Sequence, residues 1–318
     1  MTLSDDKKDA RGGAREKLYI LGHPIAHSKS PAMYNAVYEK LGLNWHYDFM
    51  DCAELAQAEA FLAKRDFLSI NITTPYKPQA YAAADVRAAS AQLARGANVL
   101  VNKNGVLVAY NVDGQGCVAA LERAGVSFPG AHVAVCGTGP TALAILHAAA
   151  QAGADEVLLV GRDKERAGDV LRGYASTFKK LAETAIDLPA ATPGHLGFAE
   201  TYEHVQLKFG SYATSRQAIA AADVIVDATP LGMNPGDAAP FDTALLSARQ
   251  TVFDVVYGHG TTALVAAARE AGCAAYDGAS MLVAQAAVTF NIVSEIAGVE
   301  HSMTFDGLYD VMFEAAGF

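Results

Sequence analysis

Apolar and polar positions follow two different periods along this chain of 318 residues. Short, wholly apolar runs read as strands buried on both faces. The stretches between them carry apolar residues at every third or fourth position, as packed helices do. "KLYILG" (17–22) is such a strand. "SPAMYNAVYEKLGL" (30–43) is a helix with Ser30 as N-cap, Pro31 at the first helical position and Gly42 as its stop. "WHYDFMD" alternates as a strand, "AELAQAEAFLAKR" is helical, and residues 67–70 form the next strand. "VRAASAQLARG" reads as a helix, and "NVLVNKNGVLVAYNVDG" as two strands joined by an Asn-Gly turn at 104–105.

After Gly114 the apolar runs lengthen. "GCVAALERAG" is a helix, "AHVAVCG" a buried strand, "PTALAILHAAAQAG" a helix and "EVLLVGR" a second buried strand. Residues 164–222 divide less cleanly. One strand fits 204–209, and 174–216 reads as an insertion or irregular crossover. "ADVIVDATPLGM" and "QTVFDVVYG" are strands, "TTALVAAAREAG" a helix, "CAAYDG" a short strand, and "ASMLVAQAAVTFNIVSEIAG" a long helix. The alternation predicts an α/β chain with mostly parallel sheets, and its length predicts two domains.

Composition narrows the function. Apolar residues make up 52%, enough for two cores, and the formal net charge is −10. A chain this acidic lacks the basic footprint of a nucleic-acid binder. An anionic ligand would gain nothing from the overall field and must be held by local groups. Cys52, Cys117, Cys136 and Cys273 stand far apart, and nine histidines form no HExxH, so no metal is expected. Reduced thiols fit a cytoplasmic chain. Residues 1–16 are polar and read as a disordered tail, neither signal peptide nor membrane span.

The strand–turn–helix "VAVCGTGPTALAI" contains Gly137-x-Gly139-x-x-Ala142, which fits the dinucleotide pattern G-x-G-x-x-G/A. Gly137 permits the tight turn, Gly139 lets a pyrophosphate approach the backbone, and Ala142 allows close helix–strand packing. Pro140 loses a donor but presets the first helical turn. The next strand ends in Gly161-Arg162-Asp163, with Arg166 following. An acid at that strand end binds the ribose hydroxyl of NAD; an arginine holds the extra phosphate of NADP. Both are present. Asp163 also fits as the cap of the helix that follows.

Three more clusters carry polar side chains where a strand or helix begins or ends. "GHPIAHSKSPAMYN" sets Ser28 and Ser30 at a helix N-terminus, where hydroxyls and unpaired N–H groups can hold an anion. "NITTPYK" sets Asn71 and Thr73 on one strand face, with Lys77 one turn later. "YNVDG" leads Asp113 into a helix, where an isolated aspartate would most often be a cap.

Taken in order, G-x-P-I-x-H-S-x-S-P, N-[VI]-T-x-P-x-K, A-x-N and N-x-D-G ahead of a dinucleotide fold resemble the shikimate dehydrogenase family. "DATPLGM" (227–233), "DVVYG" (254–258) and "DGASMLVAQAAVTF" (277–290) are similar to its later signatures. The resemblance spans nearly all of 17–318. It implies a substrate domain from 17–113 plus 279–318, a Rossmann domain over 114–278, and an active-site cleft between them. It implies Ser28 and Ser30 on the substrate carboxylate, Asn71, Thr73, Asn98 and Asp113 on ring hydroxyls, and Tyr257 and Gln285 closing the site. Lys77 and Asp113 are the implied catalytic pair. Gly137, Thr138, Gly139, Pro140, Thr141, Arg162, Asp163, Arg166, Thr229, Val255 and Gly278 map to the cofactor.

The activity so implied is the reversible, NADP-dependent reduction of 3-dehydroshikimate to shikimate, in chorismate and aromatic amino-acid biosynthesis. An NAD-preferring quinate/shikimate dehydrogenase and a non-catalytic dinucleotide-binding regulator are the alternatives. Two departures bear on the cofactor by reducing positive charge or donors near the phosphates: in the glycine loop Pro140 replaces a glycine and Leu143 stands where a basic residue is common, and at the next strand end the family's N-R-[TS] reads Gly161-Arg162-Asp163. The oxidation needs a hydride acceptor at carbon and a proton acceptor at oxygen. A free lysine titrates near ~10.4. Lys77 therefore acts as base through desolvation or water, or else stabilises the developing alkoxide. The sequence leaves monomer and homodimer equally open.

Overall fold

The computed structural model describes residues 15–184 and 194–318, so the expected tail lies, for residues 1–14, outside the described residues. Contacts between Cα atoms divide the chain into two compact units. One takes in the described residues up to Ala91, Arg95–Val112 and Gln285–Phe318; the other takes Gln92–Ala94 and Asp113–Ala284.

The first unit begins β1 (Glu16–Gly22), α1 (Ser30–Leu41), β2 (Trp45–Asp51), α2 (Leu55–Lys64), β3 (Ser69–Ile72), α3 (Lys77–Ala83), β4 (Val86–Arg87), α4 (Ala89–Ala94), β5 (Val99–Lys103) and β6 (Val106–Tyr110). Its strands form one sheet in the order β2-β1-β3-β5-β6-β4. β1 runs parallel to β2 and β3, while β5 is antiparallel to both of its neighbours. The antiparallel β5–β6 hairpin follows from its turn. Asn104 (φ 55°) and Gly105 (φ 88°) both take the left-handed conformation that a tight hairpin needs. Leu21, Ile70, Ile72, Leu100 and Leu107 are buried against α2 and α3 residues such as Leu62 and Ala80. Each large aliphatic side chain so buried contributes about 1.5–3 kcal/mol.

Two local expectations are corrected here. Ser30 is not the N-cap of α1: Lys29 holds that place, and Ser30 is the first helical residue with Pro31 second. The capping-type bond comes from Ser28, whose Oγ accepts the Ser30 N–H at 3.3 Å. The helix expected over 86–96 is shorter, because Val86 and Arg87 pair with β6 as β4 instead. Arg87 fixes that choice by donating to the Tyr81 carbonyl at 2.8 Å while lying over the Tyr81 ring.

The second unit runs α5 (Asp113–Arg123), β7 (His132–Cys136), α6 (Pro140–Gln151), β8 (Glu156–Gly161), α7 (Lys164–Thr184), α8 (Phe198–His204), β9 (Gln206–Ser211), α9 (Arg216–Ala221), β10 (Val224–Asp227), β11 (Thr251–Asp254), α10 (Ala263–Glu270) and β12 (Ala274–Tyr276). Its strands are parallel throughout, in the order β12-β11-β10-β7-β8-β9. The chain order therefore reverses between β7 and β10, as in doubly wound nucleotide-binding sheets. β11 stops at Asp254, short of the run 250–258, because the Asp254 carboxylate accepts the Val256 N–H and turns the chain.

Much of the stretch read as an irregular insertion is regular. It contains the second half of α7, then α8 and β9, with residues 185–193 outside the described set. β9 continues the parallel sheet beside β8, so this segment is a crossover within the fold.

The last helices are α11 (Ala279–Ala297) and α12 (Phe305–Ala316); α12 packs on α1. Among the described residues, α11 is the one helix long and apolar enough to cross a membrane by length and composition. Its residues Val283, Ala284, Ala287, Phe290 and Val293 are nonetheless buried in the protein.

Candidate active site

The expected substrate residues of the first unit are Ser28, Ser30, Asn71, Thr73, Lys77, Asn98 and Gln285. Asn71 points inward from β3 and is 6% exposed. Its amide is held from two sides. The Tyr47 hydroxyl donates to Asn71 Oδ1 at 2.8 Å, and Asn71 Nδ2 donates to Thr289 Oγ1 at 3.4 Å. Thr289 in turn donates to the Gln285 carbonyl at 2.8 Å, so α11 is keyed to β3 through one hydroxyl. With its carbonyl oxygen occupied by Tyr47, Asn71 presents N–H to anything that binds there.

Tyr47 also lies within hydrogen-bonding reach of Ser30. Burial pushes its phenol well above the ordinary value, so it stays a neutral donor. The Tyr34 ring stacks on it at 4.3 Å between centroids. Ser28 and Ser30 are joined Oγ to Oγ at 3.2 Å. Thr73 follows β3, and its N–H reaches the Leu21 carbonyl at 2.9 Å. Lys77, half-buried, is the first residue of α3. Asn98 is 3% exposed, and its Oδ1 accepts the Val112 N–H at 2.9 Å.

Asp113 opens α5 in the second unit and is buried. Its Oδ2 accepts the Thr141 hydroxyl at 2.8 Å, tying the first turn of α5 to the first turn of α6. It is thus a carboxylate with a fixed orientation as well as a helix-end residue. Tyr257 is half-buried just beyond β11, and burial raises its phenol.

The glycine turn suits a dinucleotide. Gly137 has φ 116°, and a Cβ there would meet the Ala228 carbonyl oxygen at 3.0 Å, where β7 and β10 diverge. A Cβ on Gly139 would meet nothing within 4 Å. Open space at Gly139, directly before α6, leaves the helix N-terminus accessible to a pyrophosphate. Pro140 is the first residue of α6, and Thr138 packs on Gly161. Arg162 and Arg166 are exposed beyond the end of β8. Asp163 Oδ1 accepts the Arg166 N–H at 3.0 Å, so it caps α7. Thr229 Oγ1 accepts the Leu231 N–H at 3.2 Å, and Val255 packs closely on Gly278. This geometry fits NADP.

Tyr47 and Thr289 were not among the expected residues. Tyr47 had a legible signal: a tyrosine at an inward position of an alternating strand needs a partner for its hydroxyl. Thr289 had none, because its partner lies 218 positions away.

A family profile described as the shikimate dehydrogenase substrate binding domain matches residues 20–100. The "Shikimate dehydrogenase (NADP(+))" of Symbiobacterium thermophilum is 33% identical over 289 residues, covering 90% of each chain. That of Rubrobacter xylanophilus is 34% identical over 270 residues, covering 84% of this chain and 86% of the other. Among solved structures, the shikimate 5-dehydrogenase of Thermus thermophilus, in complex with NADP(H) and shikimate, superposes with a TM-score of 0.73. That superposition covers 94% of this chain and 99% of the other at 24% identity, a likeness of fold.

Proposed function

The chain belongs to the shikimate dehydrogenase family, and from that premise we propose that it catalyses the reversible, NADP-dependent reduction of 3-dehydroshikimate to shikimate. The unit containing β1 to β6 is the proposed substrate-binding part, and the unit built on the parallel sheet the cofactor-binding part. The observation that carries the reading is the open Gly139 turn at the order reversal of that sheet, with arginines beyond the next strand.

When bound, NADP⁺ supplies the hydride acceptor. The protein's own residues supply position and proton handling. Ser28 and Ser30 hold the carboxylate with hydrogen bonds strengthened by its charge, aided by the positive end of α1. Asn71 and Asn98 offer N–H donors to ring hydroxyls. Thr73 adds a hydroxyl that can donate or accept. Lys77 meets the reacting oxygen as proton acceptor or as stabiliser of the alkoxide. Asp113 orients the alcohol from a carboxylate that Thr141 locks in place. Arg162 and Arg166 favour NADP by pairing with its additional phosphate.

The test is an assay of the purified protein, crossing shikimate and quinate with NADP⁺ and NAD⁺ and following reduced nicotinamide. Turnover is expected with shikimate and NADP⁺. No turnover in any combination would overturn the reading in favour of a non-catalytic dinucleotide-binding protein.

A further inference from the structure

Three buried side chains stand in a row across the ends of three adjacent parallel strands. Cys136 closes β7, Asp227 closes β10 and Asp254 closes β11, and the strand register pairs Asp227 with each of the other two. Partners in parallel register point to the same sheet face, about 4.8 Å apart. None of the three is more than 1% exposed.

The two aspartates are not equivalent. Asp254 is fully engaged: Oδ1 accepts the Val256 N–H at 3.0 Å and Oδ2 the Thr262 hydroxyl at 2.6 Å. Asp227 is engaged at one oxygen only: Oδ1 accepts the Thr229 N–H at 2.9 Å, the Thr229 hydroxyl also lies within hydrogen-bonding reach, and the buried Oδ2 has no hydrogen-bond partner. Two buried carboxylates one strand spacing apart do not both ionise. The proton belongs to Asp227, because Asp254 has the donors that stabilise a negative charge.

Asp227 also controls where the chain goes next. Its bond to Thr229 sets the turn out of β10, and the preceding carbonyl, that of Ala228, abuts Gly137 in the glycine turn. The matching bond from Asp254 sets the turn that carries Val255 and Tyr257. Ionising Asp227 places a second negative charge beside Asp254 and drives these two turns apart. It also adds negative potential at the strand ends, where the pyrophosphate of a dinucleotide belongs.

We propose that Asp227 is a positioning residue that must carry its proton for the protein to hold its dinucleotide, so that cofactor affinity falls as Asp227 ionises. The proposal rests on the cofactor reading above.

The position of the change in pH follows from the surroundings. Burial, then the neighbouring Asp254, pushes the Asp227 carboxyl up to about 7. Hydrogen bonds from Thr229 pull the other way, and the titratable groups beside Asp227 that feel its charge are Cys136 and, just after β9, Tyr212. Burial raises both far above neutrality, so they stay uncharged. Asp277 acts on Asp254 and Arg162 on Tyr212, one step further out. An unfolded aspartate ionises near 3.8, so the folded protein binds the extra proton between that value and about 7. Stability therefore falls as pH rises across that window and levels off above it.

The test compares wild type with Asp227→Asn, whose amide copies the neutral acid and cannot ionise. NADP⁺ binding is measured by calorimetry from pH 6 to 8.5, and thermal unfolding of the cofactor-free protein from pH 5 to 8.5. The ratio of wild-type to variant Kd cancels the titration of the cofactor's own phosphate. It is expected near one at pH 6, rising to about thirtyfold at pH 8.5, the inverse of the protonated fraction. The variant should also lose the decline in unfolding temperature that wild type shows on the approach to pH 7. A ratio constant across the range, or an unchanged stability profile, overturns the proposal. Absence of NADP⁺ binding at every pH would sink the cofactor reading instead, and the stability profile would still decide whether Asp227 holds the proton. If Asp227→Asn does not fold, the wild-type profile decides alone: a flat profile from pH 5 to 8.5 overturns the proposal.

Discussion

Lys77 and Tyr47 illustrate two ways a side chain acquires a role. Among the residues proposed to meet the substrate, Lys77 carries the one amine. Lys77→Ala is expected to lower kcat by about 10²–10⁴, the usual span for a lost proton-handling group. KM for shikimate should change little, and a variant with near-normal turnover would remove Lys77 from the mechanism. Tyr47 acts at one remove, by deciding which end of the Asn71 amide faces the ligand. Tyr47→Phe keeps the stacking on Tyr34 but deletes a buried bond worth about 0.5–1.5 kcal/mol. KM for shikimate should rise roughly three- to tenfold, with KM for NADP⁺ unchanged; equal effects on both would mark a general loss of structure. The spacing of Asn71, Thr73 and Lys77 was legible in the sequence. The tyrosine that orients the first of them was not, since the bond joins β2 to β3.

α5 and α6 show how closely elements must meet around the candidate site. A Cβ on Gly114 would lie 2.0 Å from the Ala144 carbonyl oxygen, on the backbone of α6. Gly114→Ala must therefore separate the two helices, at a cost of about 1–3 kcal/mol for overpacking. The bond between Asp113 and Thr141 spans the same two helices. The variant should melt earlier and lose kcat even at temperatures where it is fully folded; unchanged activity and melting would mean that α5 has room to shift. α7 was the element least well read from the sequence. Its buried residues Ala167, Leu171, Tyr174 and Phe178 recur at spacings of four, three and four, which is helical. The turn signals that follow, around 188–197, masked that period by inviting an irregular reading of the whole stretch. Conversely, β4 could not be read at all: two residues leave a helical pattern because β6 offers an edge to pair with.

For the whole molecule, a formal net charge of −10 sets a general field that opposes an anionic cofactor. Selection between NADP⁺ and NAD⁺ then falls to Arg162 and Arg166. Replacing both by alanine should raise KM for NADP⁺ at least tenfold and leave KM for NAD⁺ nearly unchanged, measured at fixed ionic strength; parallel changes would assign the arginines to folding. The sequence by itself determined the α/β class, the order of most of its strands and helices and the dinucleotide turn, and it singled out the polar residues of the candidate site. Those features depend on neighbours in the chain: apolar period, turn chemistry and short motifs. Tertiary structure alone decided the reversal of strand order between β7 and β10, the orientation of the Asn71 amide and the row of Cys136, Asp227 and Asp254. Each of these depends on which distant strand lies alongside, and hydrogen bonds between side chains remote in sequence leave no periodic trace within it.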